Sequence, residues 1–142
     1  MYLLDTNVVS ELRKAKSGKA DARVTAWASG VPASELFLSA ISVLELEMGV
    51  LLVERRDAAQ GVVLRSWLDK HVRPAFADRI LPVDAAVARR CARLHVPDPR
   101  AERDALIAAT ALVRQLTVVT PNIGDFEATG VKLLNPWASP PP

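Results

Sequence analysis

Asp5 directly follows a short apolar run, Tyr2–Leu4, and is followed by Thr6 and Asn7 at the opening of a predicted helix. Position alone leaves two readings open: a helix N-cap, worth about 1 kcal/mol, or a carboxylate held at a sheet edge for chemistry. Further along, Ser39 as the cap of a long helix places Ile41, Glu45, Met48 and Leu52 on one stripe. Glu45 is then expected among apolar residues, where an unpaired ionised carboxylate costs several kcal/mol or takes up a proton. Ser42 and Glu45 also fit S-x-x-E, so a capping box competes for the same residue. Asp104 opens the apolar stretch DALIAATALV and shares a face with Ile107, Ala108 and Ala111. Its first-turn position also suits the helix dipole. In TVVTPNIGDF, Thr120, Asn122 and Asp125 follow a predicted buried strand, with ordinary turn chemistry as the alternative.

The elements that must position these residues follow from short apolar runs at 1–4, 36–40, 80–83, 117–120 and 131–134, read as buried strands. Helical patterns lie between them, at about 7–16, 22–29, 40–56, 58–75, 84–95 and 102–116. Strands alternating with helices imply a parallel sheet covered on both faces, and ligands bind such sheets outside the carboxyl ends of the strands. Asp5, Glu45, Asp104 and the Asn122/Asp125 loop all fall at that end. Like charges in one crevice repel unless a divalent cation joins them, and all-oxygen donors suit Mg²⁺ or Mn²⁺ rather than zinc. His71 and His95 are expected on amphipathic helices away from this edge. The single cysteine, Cys91, has no neighbouring ligand pattern in the sequence and is read as helix packing.

With 142 residues, half of them hydrophobic, the chain is long enough for one compact core. We expect one domain over 1–137 and a frayed tail at 138–142, with loops at 14–21 and 96–100. No basic region followed by a long apolar run marks a secretion signal, and no window approaches the roughly 20 apolar residues that span a bilayer. A soluble cytoplasmic protein with a reduced thiol is expected. The net charge of +2 and a pI near 9.0 permit a nucleic-acid partner without requiring one. Arg89, Arg90, Arg93, Arg100 and Arg103 crowd one region, and guanidinium forks suit phosphate; a solvated helix face explains them equally.

The segments LLDTNVVSEL, LSAISVLELEMGV, DALIAATA and VVTPNIGDFEATGVKLLNPW resemble, in order and spacing, the PIN-domain family, in particular its VapC-type and FitB-like toxins. The resemblance runs from Met1 to about Trp137. It implies a three-layer α/β/α fold around a five-stranded parallel sheet, in a homodimer. It implies that Asp5, Glu45, Asp104 and a fourth residue, Asn122 or Asp125, hold Mg²⁺ or Mn²⁺, with Thr6, Asn7 and Thr120 in support. The implied activity is endoribonuclease cleavage of RNA phosphodiesters by the toxin of a type II toxin–antitoxin pair, restrained by a VapB-like antitoxin. Pro121 stands where relatives often carry arginine, which removes a phosphate contact.

Two other readings compete. A phosphoaspartyl receiver or phosphatase also places an aspartate after the first strand, but needs a second acid at position 7 or an acidic pair before the strand, plus a suitably placed lysine; Asn7 and the lysine-poor second half argue against it. A catalytically silent RNA-binding PIN domain would have lost the acids that this chain retains. The segment ISVLELEMGVLLV is apolar on almost every face, which suggests a covering antitoxin helix or second subunit, or burial between neighbouring helices.

Overall fold

The computed structural model describes residues 1–138, so the predicted tail at 138–142 lies, apart from Ala138, outside the described residues. Five strands, β1 (Tyr2–Leu4), β2 (Leu36–Ser39), β3 (Ile80–Leu81), β4 (Thr117–Val119) and β5 (Leu133–Leu134), form one sheet in the order β3-β2-β1-β4-β5. Every pairing is parallel, with Leu3 opposite both Phe37 and Val118. The strands are short continuous apolar runs because both faces are covered. Leu4, Leu38 and Val119 point into one core with Val8, Leu46, Val50 and Leu68. Leu3 and Val118 point the other way, against Ile107, Ala108, Ala111 and Phe126. This alternation is the period-2 geometry of a strand, and each large side chain so buried contributes about 1.5–3 kcal/mol.

The helices are α1 (Thr6–Leu12), α2 (Ala22–Ser29), α3 (Ala40–Arg56), α4 (Ala58–Trp67), α5 (Arg73–Ala75), α6 (Ala85–Leu94), α7 (Glu102–Arg114) and α8 (Ile123–Phe126). The expected helix 7–16 stops at Leu12, and residues 15–17 form a separate 3₁₀ turn closed by Gly18 in the left-handed region. The expected helix 58–75 runs its full length, with Leu68–Val72 widened into a π-helical turn one residue short of Pro74. The proline ring has no N–H and crowds the carbonyl four residues back, and a widened turn accommodates it. The strand expected at 131–134 shortens to two residues.

Helices α3 and α4 form a hairpin turned by Asp57 alone, whose carboxylate caps α4 through the Gln60 N–H at 3.2 Å. Arg65 on α4 ties the pair by reaching Glu47 at 2.6 Å and Glu54 at 3.2 Å on α3. The backbones meet at Gly61, where a Cβ would stand 2.6 Å from Glu54 Cα and 2.8 Å from its Cγ. The nearest obstacle is backbone, which cannot rotate away. Gly61→Ala is therefore expected to destabilise the fold by about 1–3 kcal/mol despite alanine's higher helix propensity. Urea unfolding checks this, and an unchanged midpoint would contradict the close approach.

Candidate metal centre and active site

In the sheet order β3-β2-β1-β4-β5, the chain runs from β1 to one side and later returns to β4 on the other. The carboxyl ends of β1 and β4 therefore flank the point where the connections diverge, which is where open α/β sheets bind ligands. Asp5 lies just past β1 and Thr120 just past β4, and Thr120 Oγ1 donates to Asp5 Oδ2 at 2.8 Å across that point. Asp5 Oδ1 accepts from the Thr6 N–H at 2.8 Å, so the carboxylate does cap α1. The capping and chemical readings of Asp5 are thus compatible, since each oxygen has its own donor.

Asp5 is only 6% exposed. Burial pushes its carboxyl above the ordinary range, and the neighbouring Glu45 and Asp125 push the same way; the bonds from Thr120 and Thr6 pull it down. Asp104 is displaced upward as well, first by burial and then by Asp5, Asp125 and Glu45, while Arg103 opposes. Asp5 and Asp104 thus both feel the charges of Glu45 and Asp125, and Asp104 also feels that of Asp5.

Glu45 arrives there by a route different from the expected one. Ser39 does cap α3, accepting from the Ile41 N–H at 3.0 Å. The core-facing residues of α3 are Ser42, Leu46 and Val50, whereas Met48 and Leu52 on the expected stripe are exposed. Glu45 sits at the border of that buried face, and Oε1 accepts from Thr6 Oγ1 at 2.7 Å. The capping-box alternative fails because Ser42 lies inside the helix, its buried hydroxyl without a hydrogen-bond partner among the described residues. Glu45 Oε2 lies 3.6 Å from Arg103 Nη1. Arg103 was read in the sequence only as one of five crowded arginines suited to phosphate; the structure sets it beside Glu45 at the border of the acidic crevice.

The loop after β4 is organised by Thr120, fully buried, whose hydroxyl also accepts from the Asn122 N–H at 3.0 Å. Residues 123–126, expected as a loop, form the single turn α8, which brings the exposed Asp125 toward Asp5 and Asp104. Asn122 is exposed, and its side chain makes no cap bond to α8. Asn7 is exposed on the first turn of α1 without a side-chain hydrogen bond among the described residues, so the structure does not bring it into the cluster.

Of the five crowded arginines, Arg103 borders the site and Arg100 is spent on the Leu94 carbonyl at 2.8 Å. Arg89, Arg90 and Arg93 line a shallow groove with Ala86 and Val113. His71 borders an apolar groove with Leu12, Arg13, Val62, Val63 and Trp67, away from the acids. Cys91 does pack between α6 and α7. Its expected isolation is corrected, because its sulfur lies with ligand atoms of His95 and Glu102, all within 4.8 Å of one another.

The acidic crevice offers carboxylate oxygens, flanked by the Thr6 and Thr120 hydroxyls, with no thiol or imidazole bonded to them among the described residues. That set fits a hard divalent cation, and the upward displacement of Asp5 and Asp104 comes first from burial and then from the neighbouring acids.

The model for the PIN domain matches residues 2–131. Toxin FitB of Neisseria gonorrhoeae is 40% identical, over 96% of this chain and 99% of that protein. The VapC ribonuclease Y4jK of Sinorhizobium fredii is 37% identical, over 96% and 98%. The crystal structure of FitAcB from Neisseria gonorrhoeae superposes with a TM-score of 0.87 at 39% identity, covering 96% of this chain and 99% of that one. The sheet order, the crevice at its diverging point and these likenesses agree, and the chain belongs to the PIN-domain family.

Proposed function

We propose that this chain is the toxin of a toxin–antitoxin pair, an endoribonuclease that hydrolyses RNA phosphodiesters with a divalent cation, Mg²⁺ or Mn²⁺. The observation that carries the reading is the group of carboxylates at the sheet's diverging point, in which Asp5 and Asp104 are displaced upward by burial and by the charges of Glu45 and Asp125. Asp5, Glu45, Asp104 and Asp125 would hold the cation, with Asn122 beside them. Bound there, it would supply neutralisation of charge on the scissile phosphate and acidification of an attacking water. Thr120 and the Thr6 amide fix the two oxygens of Asp5, and the Thr6 hydroxyl fixes Glu45. Arg103, half exposed beside Glu45, is placed to meet a phosphate of the incoming strand.

The relatives called toxin and VapC ribonuclease support this reading. A VapB-like antitoxin and a second copy of the chain are the proposed partners. Leu44, Met48, Leu51 and Leu52 on α3, with Val62 and Val63 on α4, remain exposed, an apolar surface that an isolated soluble domain seldom leaves bare. No helix among the described residues is long and apolar enough to cross a membrane; we place the protein in the cytoplasm, where its RNA substrates are.

Purified protein should cleave RNA in Mg²⁺ or Mn²⁺ and stop in EDTA, with zinc a poor substitute. Cleavage that survives thorough chelation would sink the proposal. Within the loop, Asp125 carries charge that reaches Asp5 and Asp104, whereas Asn122 offers only a neutral oxygen. Asp125→Asn is expected to raise the Mn²⁺ concentration needed for half-maximal cleavage more than Asn122→Ala does. A silent Asp125→Asn would assign the fourth position to Asn122.

A further inference from the structure

Helices α6 and α7 are antiparallel neighbours joined by the loop 95–101, and at their joined ends three unlike ligating side chains converge. Cys91 lies in the last turn of α6, His95 caps that helix four residues on, and Glu102 opens α7. One ligand atom from each lies within 4.8 Å of the others. Cys91 is buried, and His95 Nε2 is sealed from solvent without a hydrogen-bond partner among the described residues. Glu102 Oε2 is 3.9 Å from that nitrogen, too far for a hydrogen bond and close enough to share an ion. A buried ring nitrogen is expensive to leave unmatched, and hydrogen bonding within the chain leaves this one unmatched.

We propose that Cys91, His95 and Glu102 form a zinc site, separate from the acidic crevice, that clasps α6 to the first turn of α7. One thiolate, one imidazole and one carboxylate suit a borderline ion such as Zn²⁺ and not the hard cation of the carboxylate cluster. The exposed side of Glu102 leaves the fourth position to water. Drawing three atoms from 4.8 Å to zinc-bonding separations takes sub-ångström to ångström shifts at two helix ends, where the exposed loop 96–99 can yield.

Protons balance as follows. In the metal-free chain the Arg100 N–H donates to His95 Nδ1 at 3.2 Å, so the neutral ring carries its proton on Nε2. Zinc takes the Nε2 lone pair once that proton resides on Nδ1, and the Arg100 bond then opens. Cys91 releases its thiol proton to solvent, giving one proton lost for each ion bound.

Cobalt(II) separates the two sites, since only a thiolate ligand gives an intense near-ultraviolet charge-transfer band. Chelator-stripped full-length protein in excess Mg²⁺ should develop that band with one equivalent of Co²⁺ and lose it to one equivalent of Zn²⁺. Cys91→Ala should abolish it. Glu102→Gln, at an exposed position that tolerates the change, should weaken Co²⁺ binding about tenfold or more while leaving Mn²⁺-dependent RNA cleavage intact. Amide exchange at Arg100 should accelerate on zinc binding. No sulfur band in the parent, or a band of unchanged affinity in Glu102→Gln, would overturn the site. Neither result depends on whether the chain cleaves RNA.

Discussion

Asp104→Asn is expected to reduce RNA cleavage by at least about 100-fold, the range seen when a preorganised charge contact to a reacting centre is removed, while leaving the metal-free protein as stable as the parent or more so. The Asp104 carboxyl is displaced upward by burial and by Asp5, Asp125 and Glu45. A raised pKa in the folded state means that the folded protein favours the protonated form. The corresponding stability is present below the unfolded-state value and is lost as pH rises through the folded-state value. At neutral pH the ionised group is therefore a liability that asparagine does not carry. A bound cation reverses the balance, and binding at a hundredfold excess over Kd stabilises the parent by about 2.7 kcal/mol. The variant should show a smaller rise of the melting temperature with saturating Mn²⁺ and a flatter decline with pH in EDTA. A purely structural first-turn aspartate predicts the opposite, a loss of roughly 0.5–1 kcal/mol with the metal response unchanged. A destabilised, fully active Asp104→Asn would remove this residue from the metal site.

The candidate site residues were readable because their environments contradict their type. An acid directly after a buried strand, as at Asp5, or inside a helix of alanines, as at Asp104, conflicts with burial and attracts notice in a bare sequence. All five strands were visible as apolar runs, since a sheet covered on both faces needs no polar alternation. Where the reading went astray, the cause was an interaction that periodicity does not encode. The stripe through Glu45, Met48 and Leu52 has correct helical spacing, yet α3 turns Ser42, Leu46 and Val50 toward the core, and the choice between two adjacent faces is made by tertiary packing. The early stop at Leu12 is a local backbone event inside a stretch of good helical pattern. Thr6 was expected to support Asp5 and does so through its amide; its hydroxyl goes to Glu45, 39 positions away, a pairing that exists only after folding. Cys91, His95 and Glu102 were separable into three unremarkable residues until α6 and α7 packed side by side.

Thr120→Val should couple a stability loss to a displaced pH profile, because one hydroxyl serves both the fold and Asp5. Thr120 is fully buried; its Oγ1 donates to Asp5 Oδ2 at 2.8 Å and accepts from the Asn122 N–H at 3.0 Å. Valine keeps the volume and removes both bonds, leaving a buried carboxylate oxygen unmatched at a cost of about 1–3 kcal/mol. The Thr120 bond is the largest influence holding the Asp5 carboxyl down against burial, so its loss moves that group still higher. The sign follows directly. Cleavage needs Asp5 ionised, so the rising limb of kcat/KM against pH shifts to higher pH, and the metal-free variant loses stability with rising pH over a higher range than the parent. Saturating Mn²⁺ favours the ionised form and should narrow both differences. Thr120→Ser restores the hydroxyl at the cost of one methyl and is expected to return the pH profile to that of the parent with only part of the stability regained. If Thr120→Val loses stability while its pH profile matches the parent's, Thr120 holds the loop alone and has no part in setting the charge of Asp5.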